Sequence, residues 1–145
     1  MITEKAACFC GNISADIAFS NPVDTYQPRA CDCDFCEKHG ASYLSDPNGK
    51  LTVRISDSDQ IVSLQHGSGL ADFMICRSCG VLFCVICTRN EYTVGSLNSL
   101  TLYNRRKLKP SLSISPKSLA DTEKLERWSQ LWFKDVIISK NKPMS

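Results

Sequence analysis

The sequence predicts a mainly β domain with one helix towards its C-terminal end. Three observations carry that expectation. Ile13, Ala15, Ile17 and Phe19 alternate with Asn12, Ser14 and Asp16, the period of two that sets one face of a strand against a core. Residues 81–87 form an unbroken apolar run, as in a strand buried on both faces. Helical spacing appears only late, where Leu125, Trp128, Leu131 and Trp132 fall on one stripe.

Between these landmarks, Asn21-Pro22 turns the chain after its first strand. Residues 25–30 are short and extended, and Pro28 confines them to a sheet edge. A strand over 41–44, a turn at Asp46-Pro47-Asn48-Gly49 and a return strand carrying Leu51, Val53 and Ile55 read as a hairpin. Further strands are expected over 60–65, 71–75 and 92–94, with Gly67 and Gly69 in the loop between the first two. The stretch Asn104-Arg105-Arg106-Lys107-Leu108-Lys109-Pro110 is basic, and Pro110 and Pro116 keep it irregular. Ser118-Leu119-Ala120-Asp121 has the capping-box pattern, opening a helix over roughly 119–132. At 145 residues the chain is expected to be one domain, 1–145, with its core over about 4–103 and the helix in a C-terminal extension.

Charge excludes little but favours little. The 17 Lys and Arg against 15 Asp and Glu leave +2, so nothing global argues for nucleic acid or an anionic membrane. No apolar stretch approaches the roughly 18 residues of a transmembrane helix. Met1-Ile2-Thr3-Glu4-Lys5 lacks the basic start and apolar core of a secretion signal. A soluble, cytoplasmic protein is expected, its oligomeric state unspecified.

Nine cysteines dominate the chemistry. In a reducing compartment they point to metal ligands or reactive thiols, and an odd number would leave a disulfide framework unpaired. Cys8-Phe9-Cys10-Gly11 and Cys76-Arg77-Ser78-Cys79-Gly80 are two short, glycine-ended thiol pairs. Together they offer four sulfurs, the closed tetrahedral number of a structural zinc site. Cys31-Asp32-Cys33-Asp34-Phe35-Cys36 offers three more. Three protein ligands suit an open, catalytic zinc site with one position left for water or substrate; alternatively His39, His66, Asp32, Cys84 or Cys87 closes it. Cys84 and Cys87 repeat the Cys-x-x-Cys spacing, but residues three apart on a strand face opposite ways and no glycine follows. They read as small buried apolar side chains.

The order Cys-x-Cys-Gly, Cys-x-Cys-x-x-Cys, Cys-x-x-Cys-Gly, running from Cys8 to the Gly95-Ser96-Leu97 stretch, resembles the glutathione-dependent formaldehyde-activating enzyme family, which also includes centromere protein V. The resemblance implies two antiparallel sheets meeting like a tent and pinned by zinc. It implies two zinc ions per chain: a structural one on Cys8, Cys10, Cys76 and Cys79, and a catalytic, labile one on Cys31, Cys33 and Cys36. It also implies a carbon–sulfur lyase type of reaction, the addition of glutathione to formaldehyde to give S-hydroxymethylglutathione. One departure stands out. Glu37 follows the third triplet cysteine where relatives are often basic, and Asp32 and Asp34 make the loop more acidic still. The loop is therefore not an evident holder of glutathione's carboxylates.

Three thiolates on a divalent zinc leave a net charge of −1, a weaker Lewis acid than zinc held by three neutral histidines. Binding a substrate thiol as thiolate suits such a site better than acidifying water. His39 is the sequence's nearest candidate for protonating the alkoxide formed on an aldehyde. The alternatives are a zinc-stabilised binding module without turnover, supported by the basic run 105–109, and a thiolate redox or metal sensor.

Overall fold

The computed structural model describes residues 1–65, 69–89 and 91–140. Its strands are β1 (Ile2–Ala7), β2 (Ile13–Phe19), β3 (Arg29–Cys31), β4 (Tyr43–Leu44), β5 (Lys50–Ile55), β6 (Ile61–Leu64), β7 (Asp72–Cys76), β8 (Leu82–Arg89), β9 (Tyr92–Asn98), β10 (Leu112–Ile114) and β11 (Asp135–Lys140). Two α-helices, α1 (Asp34–His39) and α2 (Asp121–Leu131), join them. The smaller sheet runs β1-β2-β5-β11 and the larger β10-β3-β4-β9-β8-β7-β6. The fold is thus mainly β, in two sheets, with its main helix near the C-terminal end, as the patterning predicts. Both sheets are mixed, because β11 joins β5 and β10 joins β3 in parallel while the other pairings are antiparallel.

Period two does its work in the smaller sheet. Ile13, Ala15, Ile17 and Phe19 of β2 and Leu51, Val53 and Ile55 of β5 are all buried. They share an inner core with Met74, Phe83, Cys84 and Leu97 of the larger sheet. The larger sheet also buries its other face. Tyr43, Leu82, Val85, Cys87 and Val94 form a second, outer core with Leu125, Trp128, Leu131 and Trp132 of α2 and its end. Strand β8 therefore has no solvent side along most of its length, which is why its apolar run is unbroken. A register shift between Met74 and Ile75 sets Cys84 opposite Met74 and Leu82 opposite Ile75. Phe83 is the extra residue of that bulge, so Phe83 and Cys84 both serve the inner core.

Three expectations are corrected. Residues 41–55 are not a hairpin: β4 belongs to the larger sheet and β5 to the smaller, so the turn at 46–49 carries the chain between layers. Residues 25–30 do not end a sheet, because β10 pairs on the far side of β3. Pro28 lies just outside β3, and its carbonyl accepts from the Leu112 N–H at 2.8 Å. Finally, Ser118 does not cap α2. Its hydroxyl donates to the Ser115 carbonyl, and the helix starts at Asp121 with the Glu123 carboxylate accepting from the Ala120 N–H at 3.0 Å.

Strands β1, β10 and β11 and helix α1 carry no strong pattern in the sequence. In β11, Val136-Ile137-Ile138 is apolar without alternation, although Val136 and Ile138 pack inward and Ile137 is exposed. The expected loop residues His66 and Gly67 lie outside the described residues.

Candidate metal centres and the adjoining cleft

Each thiol pair sits in a tight turn that the sequence builds around glycine. Cys8 ends the β1 side of one turn, where its N–H donates to the Ile13 carbonyl and its sulfur accepts from the Ile13 N–H at 3.3 Å. Cys76 ends β7, and the Gly80 N–H closes the second turn on the Cys76 carbonyl at 2.7 Å. Gly11 and Gly80 take φ of +84° and +78°, left-handed values that a side chain would strain. The pairs meet although 66 residues separate Cys10 from Cys76: their sulfurs are 3.5 Å apart, and those of Cys8 and Cys10 are 3.8 Å apart. Four sulfurs at about 2.3 Å around a tetrahedral zinc would stand about 3.8 Å from one another, so the quartet has the dimensions of such a site.

The quartet's electrostatics point the same way. Burial pushes the Cys8 thiol up to about 12. Burial also raises Cys79, but the N–H groups of Cys10 and Val81 and the thiols of Cys76 and Cys8 outweigh it and hold Cys79 down to about 6. Four thiols this close compete for one negative charge, and a divalent cation among them removes the conflict. The donor set fits zinc.

The triplet lies on the opposite face of the larger sheet. Cys31 ends β3, Cys33 is the N-cap of α1, and Cys36 is buried in that helix's first turn. The Cys33 sulfur accepts from the Cys36 N–H at 3.4 Å, so the cap itself folds the second sulfur towards the third. The three sulfurs lie within 4.8 Å of one another. Hydrogen bonding from Cys36 is the main cause that brings Cys31 down to about 6, while that same bond and burial push Cys36 up. The set again favours a soft cation, with one thiol fewer.

Among the described residues only these two groups could hold a metal. Asp32, His39, Cys84 and Cys87 do not join the triplet, and His66 lies outside the described residues. Cys84 faces the inner core and Cys87 the outer, the divergence expected of strand residues three apart. His39 lines a different cleft, beside Cys8, Cys10 and Gly80. It does not face the triplet's cleft.

Several residues in the triplet's surroundings escaped sequence reading. Tyr43, buried on β4, sets its hydroxyl 3.1 Å from the Cys36 sulfur, and burial followed by that contact raises its own ionisation. A cleft opens over the three sulfurs, floored by the outer face of the larger sheet and walled by α2. Arg29, Lys117, Lys124 and Arg127 line it. Signals existed for some of these. Arg29 stands two residues before Cys31 on one strand and so shares its face, and Lys124 and Arg127 flank the apolar stripe of α2 at helical spacing. The acidic loop is also less acidic in effect than in sequence: Asp32 accepts from Ser115 and lies 3.9 Å from the Lys117 ammonium.

With the geometry established, comparison with known proteins decides the family. The model of the glutathione-dependent formaldehyde-activating enzyme matches residues 3–118. The chain belongs to this family. No curated protein sequence matches it. Among solved structures, a crystal structure of a Rhodobacter sphaeroides protein is similar, with 21% identity, a TM-score of 0.54, and coverage of 74% of this chain and 99% of that one. At that identity the likeness speaks for the fold. Helix α2 and strand β11 lie beyond the matched residues, so the wall of the cleft that carries Lys124 and Arg127 does too. Among the described residues, no helix is long and apolar enough to cross a membrane.

Proposed function

We propose that the protein is a cytoplasmic, zinc-dependent carbon–sulfur lyase-type enzyme that adds glutathione to formaldehyde, or a related thiol to a small aldehyde, giving an S-hydroxymethyl adduct. Cys8, Cys10, Cys76 and Cys79 hold a structural zinc, and Cys31, Cys33 and Cys36 hold a second, catalytic and more labile one. The observation that supports this most is the asymmetry of the two clusters. One has four sulfurs in turns that tie distant segments, and the other has three sulfurs facing a cleft.

When bound at the triplet, zinc supplies a positive centre that stabilises a substrate thiol as thiolate. The chain's own residues do the remainder. Cys31, Cys33 and Cys36, which line the cleft, would hold the ion, and the Tyr43 hydroxyl restrains Cys36. The apolar side chains of Phe73, Val85, Ile114 and Trp128 on the cleft walls would limit water at the reacting atoms. The reaction balances without any oxidant: the sulfur lone pair forms the C–S bond, the carbonyl π pair moves to oxygen, and the proton lost by the thiol is matched by one gained by the alkoxide.

Neither nucleic acid nor membrane is invoked. Arg105, Arg106 and Lys107 sit in an exposed turn with no interleaved aromatic side chains to stack bases, a solvated surface. The test is the rate of glutathione–formaldehyde addition with zinc-loaded protein. Acceleration is expected, and Cys33→Ser should abolish it. No acceleration, or acceleration that survives the substitution, overturns the proposal.

A further inference from the structure

Charge on the cleft wall carries an inference that goes beyond the thiol chemistry and rests on that reading. Helix α2 packs its Leu125, Trp128 and Leu131 against the larger sheet, yet Lys124 and Arg127 also sit half-buried on that side, lining the triplet's cleft. Arg29 faces them from β3. Its guanidinium Nη2 donates to the Ser45 hydroxyl at 2.6 Å, and that hydroxyl donates to the Leu131 carbonyl at the end of α2 at 2.7 Å, so strand and helix are tied at this point.

These cations are short of counter-charge. Ion pairs among the described residues are Lys5 and Arg54 with Asp16, and Lys117 with Asp32. No described carboxylate lies within 4.0 Å of Arg29, Lys124 or Arg127. Arg29 and Arg127 are close enough to repel each other. Half-buried cations placed together without an acid cost stability unless an anion from outside joins them. Planar guanidinium groups match a carboxylate with two parallel hydrogen bonds, and the apolar wall beside them suits the carbon skeleton attached to it.

We propose that Arg29, Lys124 and Arg127 form a carboxylate grip, and that this grip selects carboxylate-bearing thiols and presents their sulfur to Cys31, Cys33 and Cys36. The grip is built largely from the part of the chain beyond the family's matched region, so it is a feature of this protein's extension. It also supplies what the acidic triplet loop does not.

The chain's two tryptophans, Trp128 and Trp132, both line this cleft and stack on each other with ring centroids 4.6 Å apart. Tryptophan emission, excited at the red edge where the four tyrosines do not absorb, therefore reports on the cleft. The experiment titrates zinc-loaded, full-length protein with S-methylglutathione, which keeps both carboxylates but has no free thiol, and with its diethyl ester. The acid should bind at least tenfold tighter than the ester, and Arg127→Gln should weaken the acid about tenfold, as expected for a lost charge-assisted hydrogen bond, while leaving the ester unchanged. Arg127→Lys should recover part of the loss, and Lys109→Gln, outside the cleft, should lose nothing. Equal binding of acid and ester, or unchanged binding in Arg127→Gln, overturns the grip. Should the acid bind as expected while glutathione–formaldehyde addition is not accelerated, the grip stands and the proposed reaction falls. Should addition be accelerated equally for glutathione and for a carboxylate-free thiol such as 2-mercaptoethanol, the reaction stands and the grip falls.

Discussion

The two cysteine clusters should respond very differently to loss of one ligand, because they close different lengths of chain. The quartet joins turns 66 residues apart, whereas the triplet lies within six consecutive residues. Loop closure scales as (3/2)RT ln n, about 3.7 kcal/mol for the first span and about 1.6 kcal/mol for the second. An unfolded chain can therefore still offer the triplet to zinc, which reduces the stabilisation that zinc gives the native state, but must pay the larger closure cost to offer the quartet. The difference of roughly 2 kcal/mol corresponds to about 4–8 °C in a domain of this size. Cys33→Ser and Cys79→Ser are the matched pair to compare. Serine at position 33 remains a competent N-cap for α1, so that variant removes a ligand without uncapping the helix. On anaerobically purified protein, Cys33→Ser should lower zinc from two per chain to one and shift the thermal midpoint only slightly. Cys79→Ser should melt at least about 4–8 °C below it. Zinc content unchanged by Cys33→Ser, or equal melting losses in the two variants, would refute the reasoning.

Other substitutions probe single contacts. Tyr43→Phe removes the hydroxyl beside Cys36 while keeping the ring in the outer core; zinc affinity at the triplet, measured by chelator competition, should fall about 10–100-fold with the fold intact. Cys84→Ser places a hydroxyl in the apolar inner core, where the neighbouring sulfur of Met74 is a poor partner, and should cost about 1–3 kcal/mol in denaturant unfolding without altering zinc content. Asp46 is buried, which by itself raises its carboxyl, but the hydroxyl of Tyr26, the N–H and hydroxyl of Ser20 and the N–H of Asn48 outweigh burial and hold it below its ordinary 3.8. A depressed folded value means that its contribution is complete above pH 4 and fades as pH falls through the folded value. Asp46→Asn should therefore be less stable than the parent by about 1–3 kcal/mol at pH 7, with the gap narrowing below pH 4. Both proteins release zinc in acid, so the difference between them isolates this group.

How much of this could be read from the sequence varied with how local the cause was. Alternation in β2 and the unbroken run of β8 are strand-scale facts, and both map onto the two cores as expected. The glycine-ended thiol pairs are turn-scale facts, and their meeting follows from the coordination number of four. What failed was pairing at a distance. The segment before Gly49 looks like one arm of a hairpin because the turn residues are right, yet Tyr43 and Leu44 pair with Asn98 and Leu97 in the larger sheet. That choice is made by burial on both faces, which a local pattern does not encode. Strands β10 and β11 were invisible for a related reason: each is held by parallel pairing to a strand more than 80 residues earlier, with little alternation of its own. The cleft shares this fate. Its cations come from β3, from α2 and from the turn at Pro116–Ser118 that carries Lys117, and β3 and α2 meet through Arg29, Ser45 and Leu131.

The cleft's charge and the triplet's chemistry explain each other better than either stands alone. In the proposed reaction a divalent ion on three thiolates would carry a net −1 and a bound substrate thiolate would make it −2, so each step towards the reactive complex would add negative charge in a partly desolvated place. Such a build-up is unfavourable unless nearby positive groups offset it, and their effect grows as water is excluded. Asp32 would worsen the balance, but Lys117 and Ser115 hold it. Arg29, Lys124 and Arg127 then remain to answer both the metal site's excess and a ligand's carboxylate. The quartet, in the proposed structural role, would carry a constant charge: its four sulfurs would fill the coordination of the ion, and no further negative charge would build up there during a reaction. On the proposed reading, a structural and a reactive thiolate site are built from the same residue type, distinguished by one missing ligand and by the cleft that opens over the smaller set.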